Sequence, residues 1–180
     1  MCHKNGTMLI LKRSSIIWLI FILCISLSAC GYKFAGGGSL PAGIKNVCIP
    51  VLKNRTSEAG VENTITNDLI YEFNRHDISV LSSEDKADAV LSGTVWSVII
   101  HTIAYKDPTK SSERRVTITV NLKLKSQSGK VVWSRTGLTD NEAYDVASDK
   151  LETERNKKEA ILVLSKRLTE TIYMSMTADF

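Results

Sequence analysis

The clearest pattern in this sequence is a strict alternation of apolar and polar residues over positions 116–125. The apolar positions are Val116, Ile118, Val120, Leu122 and Leu124, and the polar ones are Thr117, Thr119, Asn121, Lys123 and Lys125. Because successive side chains of a strand point to opposite faces, this pattern predicts a strand with one core face and one solvated face. Turn-forming residues at 126–129 then predict a hairpin to a return strand over residues 131–139.

The preceding segment, residues 89–105, is apolar on both phases of the same alternation. One phase carries Leu91, Val95, Ile99 and Ile103, and the other Val90, Trp96, Val98 and Ile100. This pattern predicts a long strand that is covered on both faces or offers one face to a partner.

Two shorter apolar runs, residues 47–52 and 78–81, predict further strands. The first contains Pro50, which has no N–H to donate to a neighbouring strand. We therefore expect this strand to lie where one of its sides is unpaired.

Two segments have the spacing of amphipathic helices. Residues 58–74 carry Val61, Ile65, Leu69 and Phe73 at four-residue intervals, behind Thr56 or Ser57 as candidate caps. Residues 149–174 carry a second stripe, formed by Ile161, Leu164, Leu168 and Ile172. Since each helix has one apolar stripe to bury, the prediction is an α+β two-layer sandwich, with two helices on a mixed sheet of four or slightly more strands.

The first 29 residues have the layout of a secretory signal. Lys4, Lys12 and Arg13 precede an apolar run over residues 16–27, which two small residues and Cys30 follow. A helix over this run would be about 18 Å long, well short of the roughly 30 Å hydrocarbon core of a bilayer. We therefore predict that residues 1–29 are removed, with a transmembrane anchor as the alternative.

Removal of this segment changes the composition of the protein. Lys+Arg falls from 23 to 20 while Asp+Glu stays at 19, so the mature side-chain balance is about +1. A nucleic-acid partner requires a basic excess that such a domain lacks. Besides Cys30, Cys48 is then the one remaining cysteine, and its place in an apolar run predicts a small core residue.

Residues 30–44 include the glycines at 36–38, and this composition predicts a lipidated N-terminus followed by a flexible tether. Residues 45–180 are expected to form a single domain, which is long enough to fold without a disulfide or a metal.

Motifs for catalysis are absent from the sequence. It contains no HExxH, CxxC or Gly-x-Ser-x-Gly pattern, and His76 and His101 have no partners at metal-ligand spacing. We therefore expect no metal, no cofactor and no enzymatic activity. A hydrolase that depends on His101 stays as a minor alternative.

Basic residues gather at one predicted turn. Lys106, Lys110, Arg114 and Arg115 flank it, and their ammonium and guanidinium groups suit the phosphates of an anionic amphiphile. The alternative is a solubilising hairpin whose charges guard the sheet edges.

Leu27-Ser28-Ala29-Cys30 resembles the bacterial lipobox. The resemblance implies that Cys30 becomes the first residue and carries a diacylglyceryl thioether and an N-acyl chain. Gly31 stands where an Asp would favour retention at the inner membrane, so the resemblance implies an outer-membrane lipoprotein.

Four segments behind the lipobox together resemble the lipopolysaccharide-assembly lipoprotein LptE family. They are Cys30-Gly31-Tyr32-Lys33-Phe34, Leu40-Pro41-Ala42-Gly43-Ile44-Lys45, Ile49-Pro50-Val51-Leu52-Lys53-Asn54-Arg55-Thr56 and the helix over residues 61–73. The resemblance covers the whole mature chain. It implies a non-enzymatic plug and assembly partner of the outer-membrane β-barrel LptD, held on the periplasmic side of that membrane by its lipid anchor.

The resemblance also implies that the protein binds lipopolysaccharide through basic residues between the long strands and near the start of the last helix. The residues at those places are Lys106, Lys110, Arg114, Arg115 and Lys150. A second interpretation is a periplasmic assembly factor of the curli-secretion or peptidoglycan-synthase-activator kind, because such lipoproteins also begin with an apolar strand, a polar turn and an amphipathic helix.

Overall fold

The computed structural model describes residues 40–107 and 110–178. Within them the chain forms two α-helices, six strands and two short 3₁₀ turns, at Pro41–Gly43 and Glu84–Lys86. The elements in chain order are β1 (Asn46–Cys48), β2 (Lys53–Asn54), α1 (Val61–Arg75), β3 (Ser79–Leu81), β4 (Ala89–Asp107), β5 (Lys110–Ser126), β6 (Val131–Asp145) and α2 (Lys150–Ala178).

All six strands belong to one mixed sheet. Its order is β3-β1-β4-β5-β6, and β2 pairs with β4 beside β1. The short strands β1, β2 and β3 pair in parallel, whereas β4, β5 and β6 form an antiparallel meander. The apolar stripes of α1 and α2 join the alternate apolar residues of β4 and β5 in one buried core, which confirms the predicted two-layer α+β sandwich.

The alternation predicted for β5 is confirmed residue by residue. Val116, Ile118, Val120, Leu122 and Leu124 are buried under the helices, whereas the intervening residues are half-buried or exposed. The return strand β6 is longer than predicted, because its pairing with β5 continues to Asp145, opposite Glu113.

Helix α1 buries the stripe that was predicted, but it begins three residues later than residue 58. Gly60 precedes its first residue with a φ of 89°, a left-handed conformation that glycine adopts without a steric penalty. The Glu62 carboxylate accepts a hydrogen bond from the Gly60 N–H at 3.1 Å. The predicted caps are wrong, because Thr56 closes a turn with the side chain of Asn54 instead.

Strand β1 lies between β3 and β4 and is paired on both sides, so the prediction of an unpaired side is wrong. The strand ends at Cys48, before Pro50, and the chain returns to the sheet only at β2. A proline that cannot donate to a ladder therefore lies between strands and not within one.

The packed part of the chain begins earlier than residue 45. Leu40 and Ile44 are both buried in the core, although the composition placed them at the end of a flexible tether. The remainder of the predicted tether and the predicted signal segment lie outside the described residues.

Strand β4 ends two residues later than predicted, at Asp107, and its two halves have different surroundings. Leu91 and Val95 are buried, whereas Trp96, Ile99 and Ile103 are exposed. Of the two alternatives predicted for this strand, cover on both faces is therefore wrong for its second half, and a face offered to a partner stays a prediction. No helix among the described residues is long and apolar enough to span a membrane.

Candidate functional site

The face of the sheet opposite the helices is lined with polar side chains, and we call it the open face. It is centred on the outward-facing residues Thr117, Thr119, Asn121 and Lys123 of β5. The hydroxyls of Thr119 and Thr139 lie 3.0 Å apart across the β5–β6 ladder. The open face therefore presents a layer of hydrogen-bonding groups, while the opposite side of the same strands is dry.

A β-bulge in β6 interrupts its pairing with β5. Between Val120 and Leu122 the register with β6 shifts by one residue, and Gly137 occupies the irregularity with a φ of 71°. The backbone N–H of Gly137 donates to Asn121 Oδ1 at 2.8 Å. The Asn121 side chain thus satisfies a backbone donor that the irregular ladder leaves without a strand partner.

Trp96 lies at the irregularity of β4 between Val95 and Ser97, and its side chain is exposed. The guanidinium carbon of Arg55 lies 5.0 Å from the centre of its ring, within the range of a cation–π contact. Sequence reasoning missed this pair, because the two residues are far apart in the chain. The parallel register of Asn54 with Val95 places the next residues side by side, and only that register could have revealed the contact.

The five basic residues predicted to bind lipopolysaccharide do not form one cluster. Arg114 and Arg115 are consecutive in β5, so they point to opposite faces of the sheet. Arg115 lies on the open face, opposite His101 of β4, and Arg114 lies on the helix side, opposite Tyr144 of β6. A single bound phosphate would therefore meet one of these arginines and not both.

Lys106 and Lys110 lie where β4 passes into β5, and Lys110 pairs with Asp107 in the register. Their side chains lie outside the described part of the structure. Both residues nevertheless belong to the same end of the sheet as Arg114 and Arg115.

Lys150 is the first residue of α2 and lies near the same end. The chain that leads to it is fixed to β5, because the Val146 N–H donates to the Ser112 carbonyl at 2.9 Å. Asp149 caps the helix by accepting a bond from the Leu151 N–H at 3.1 Å. The basic residues therefore share a region, which we call the basic end.

The basic end also contains carboxylates. Glu113 of β5 lies directly opposite Asp145 of β6. Among the described residues, the guanidinium groups of Arg114 and Arg115 are not held in ion pairs, whereas that of Arg167 is. The two unpaired arginines are thus available to an anionic ligand, in a setting of mixed charge.

The two histidines among the described residues lie apart from each other, and no metal-binding group is found there. No group of three or more His, Cys, Asp or Glu side chains among them could hold a metal ion. His76 stacks on Tyr173 with ring centres 4.0 Å apart and contacts Glu72 at 3.0 Å, so it is part of the packing between the helices. His101 lies exposed on β4, opposite Arg115.

Cys48 is buried, as its place in an apolar run predicted. Burial raises the pKa of its thiol, and the charge of Glu84 raises it further. A thiol that resists ionisation is a poor nucleophile, so Cys48 acts as a small core residue.

The fold alone does not identify the family of this chain, and the comparison with protein families does. Residues 44–176 match the family described as LptE, lipopolysaccharide-assembly, which is well over half of the chain. The chain belongs to the LptE family. This match confirms the resemblance drawn from the sequence.

Solved lipoprotein structures have the same fold as this LptE-family chain. Lipoprotein B from Nitrosomonas europaea superposes with a TM-score of 0.58 at 14% identity, covering 83% of this chain and 92% of its own. Rare lipoprotein B from Shewanella oneidensis gives 0.52 at 15% identity, covering 71% of this chain and 94% of its own. A minor lipoprotein from Acinetobacter baumannii gives 0.51 at 15% identity, covering 75% and 92%. The comparison with curated protein sequences finds no match.

Proposed function

We propose that this LptE-family protein is an outer-membrane lipoprotein that acts as plug and assembly partner of the LptD β-barrel in the transport of lipopolysaccharide to the outer leaflet. The family match supports a role in lipopolysaccharide assembly. The proposal goes beyond this match in two respects, namely that the protein pairs with the LptD barrel and that it lies inside it.

The polar open face is the observation that supports a role as a plug. The lumen of a wide outer-membrane barrel is polar and hydrated, so a protein seated there has to present hydrogen-bonding groups while its own core stays dry. Thr117, Thr119 and Asn121 offer such groups on a face that neither helix covers. A lumenal wall rich in polar side chains would form hydrogen bonds with these groups.

The membrane attachment in this proposal is through Cys30. One acyl chain gives only marginal membrane residence, whereas two or more chains hold a protein durably. Cleavage before Cys30 and its acylation would therefore anchor the protein without a membrane-spanning helix. The mass of the mature protein tests this step, because it has to correspond to residues 30–180 plus the acyl chains.

The ligand part of the proposal assigns lipopolysaccharide phosphates to the basic end, with contacts from Lys106, Lys110, Arg114, Arg115 and Lys150. Arginine forks and lysine ammonium groups are suited to phosphate oxygens. Because Arg114 and Arg115 lie on opposite faces, we propose that they contact different parts of the ligand or different ligand molecules.

Co-purification is the experiment that tests the plug. The full chain, tagged at its C-terminus, is expressed together with the LptD-type barrel of the same organism and purified from outer membranes in mild detergent. The expected result is a stable complex of one barrel with one lipoprotein. Recovery of a homo-oligomeric ring or of a peptidoglycan synthase, without the barrel, would overturn the proposal in favour of a periplasmic assembly factor.

A further inference from the structure

Strand β4 becomes an edge of the sheet in its second half. On the side away from β5 it pairs with β1 at Ala89 and Val90 and with β2 at Thr94 and Val95. From Ser97 onward its pairing partners within the described residues all belong to β5. Every second residue beyond Val95 therefore directs its backbone N–H and C=O away from the sheet.

This edge is of a length that can receive one strand. The β4–β5 register is regular from Ser97 to Thr102, and irregularities at Val95/Ser97 and Thr102/Ala104 mark its two ends. Six residues are a typical strand length, about 20 Å. We call residues 97–102 the free edge.

Large apolar side chains surround the free edge. Five of them are between 39% and 62% exposed, namely Trp96, Ile99, Ile100, Ile103 and Tyr105. Residues 97–104 contain no Lys, Arg, Asp, Glu or Pro. An unguarded apolar edge of this kind is a template for pairing with another strand.

The opposite edge of the same sheet, β6, is guarded. Asp140 and Glu142 lie on the helix side of β6, where the Arg167 guanidinium holds both carboxylates. Inward-pointing charges and cover by a helix are two of the devices that keep strand edges from pairing with other chains. The sequence thus protects one edge and leaves the other open, which indicates that the free edge is used.

The charges beside the free edge indicate the kind of strand that it receives. Arg115 lies across from His101, Arg114 lies across from Thr102, and Arg55 lies over Trp96. A second copy of this chain is disfavoured as the occupant, because it would bring two such sets of arginines towards each other and like charges repel. A strand that carries carboxylates beside alternating apolar residues would complement them.

We infer that the free edge binds an extended segment of the barrel protein by strand addition, with apolar residues at alternate positions and carboxylates that face Arg115 on the open face and Arg55 beside Trp96. This inference rests on the proposed function, since it names the surface through which the two proteins join. Main-chain hydrogen bonds supply the attachment, and the exposed apolar side chains of β4 supply the specificity.

Hydrogen exchange on the purified complex tests the inference without altering the chain. Amide exchange is measured for the lipoprotein alone and in complex with the barrel. We expect alternate amides of residues 97–102 to exchange at least about tenfold more slowly in the complex, because a new ladder protects every second N–H. Equal exchange in both states would overturn the inference.

A matched pair of substitutions tests the same surface. Ile99 of β4 lies on the open face, opposite Thr117. Leu162 of α2 lies away from that face, and the exposed fraction of its side chain, 50%, is close to the 45% of Ile99. Ile99→Lys is expected to lower the recovery of the complex about tenfold, since it places a charge against the incoming strand. Leu162→Lys, which makes the same kind of change on the exposed side of α2, is expected to leave recovery unchanged. Circular dichroism of both isolated variants shows whether the fold is kept.

The outcomes separate this inference from the proposed function. A complex that forms in full with Ile99→Lys and without protection of residues 97–102 overturns the inference and leaves the plug intact. Absence of any complex with the unaltered chain overturns the proposed function and with it the inference. A concentration-dependent dimer that Ile99→Lys abolishes identifies a second copy as the occupant and also overturns the inference.

Discussion

Gly93 is a single residue on which the packing of the two longest strands depends. It lies in β4 opposite Leu122 of β5, and the Leu122 side chain fills the space that a β-carbon would need. A Cβ at this position would also lie 2.5 Å from the Asn121 carbonyl oxygen, which belongs to the ladder and cannot move freely.

We expect Gly93→Ala to lower the free energy of unfolding by about 1–3 kcal/mol, because added volume in a packed core forces neighbouring groups to shift. Urea unfolding followed by circular dichroism measures the change. Ser92→Ala, one residue away on the open face, adds no atoms and is the control, with an expected effect within about 0.5 kcal/mol. A similar small effect of both substitutions would contradict the prediction.

Tyr173 is the residue for which burial predicts a dependence of stability on pH. Burial raises the pKa of its phenol, and the charges of Glu72 and Asp77 raise it further. A raised pKa means that the unfolded state ionises first, so the stability contribution is complete below about pH 10 and is lost as the pH rises beyond that.

The free energy of unfolding is therefore expected to fall as the pH rises above about 10, and to fall less steeply in Tyr173→Phe. Urea titrations at several pH values measure both slopes. Lys157, whose pKa is raised by its hydrogen bonds to Glu154 and Glu58 against the effect of burial, contributes in the same direction in both proteins. Identical slopes for the two proteins would refute the role given to Tyr173.

At the level of elements, Arg167 joins helix α2 to the edge strand β6. Its Nε donates to Asp140 Oδ2 at 2.6 Å and its Nη1 to Glu142 Oε2 at 2.7 Å, while Nη2 reaches the Asn141 carbonyl. These two carboxylates raise the pKa of the guanidinium. Without it, the two carboxylates would lose the ion pairs that hold them to the helix.

We expect Arg167→Met to destabilise the fold by about 1–2 kcal/mol, a modest value for a charge-assisted network because the side chain is partly exposed. Arg167→Lys should recover less than half of that loss, since a single ammonium cannot hold two carboxylates and a carbonyl at once. Thermal and urea unfolding measure both variants. If Lys restored full stability, the fork geometry would not be the cause.

At the scale of the whole molecule, basic side chains occupy both ends of the long meander. One group is at the basic end, and the other, which includes Lys125 and Lys130, is at the β5–β6 turn. The two groups differ in position and not in kind, which allows a comparison of equal charge changes.

Replacing Lys110, Arg114 and Arg115 together by Glu is expected to weaken lipopolysaccharide binding at least about tenfold, or about 1.4 kcal/mol, while the fold is retained. The same reversal at Lys123, Lys125 and Lys130 is the matched control and should have little effect. A pull-down with immobilised lipopolysaccharide measures both. Unchanged binding of the first variant would remove the ligand role of the basic end and leave the plug untouched.

The local pattern of the sequence predicted most of the elements and their buried faces. The alternation over residues 116–125 identified the buried side of β5, and the four-residue spacing identified the stripe of α1. It failed at element boundaries, since α1 begins at Val61 behind Gly60 and not behind Thr56 or Ser57, and since Pro50 lies between strands. Such boundaries depend on contacts with Asn54 and Glu62 that periodicity does not report.

The sequence by itself determined which family the chain resembles and which side chains of β5 and of the two helices are buried, because burial there follows from periods of two and 3.6 residues along the chain. Only the tertiary structure decided which residues are neighbours across the sheet. The contact of Arg55 with Trp96, the bonds of Arg167 to Asp140 and Glu142, and the separation of Arg114 from Arg115 onto different faces all required the register and order of the strands. The unpaired edge in the second half of β4 also required the tertiary structure. Whether a strand has an unpaired side is known only when the positions of all the other strands are known.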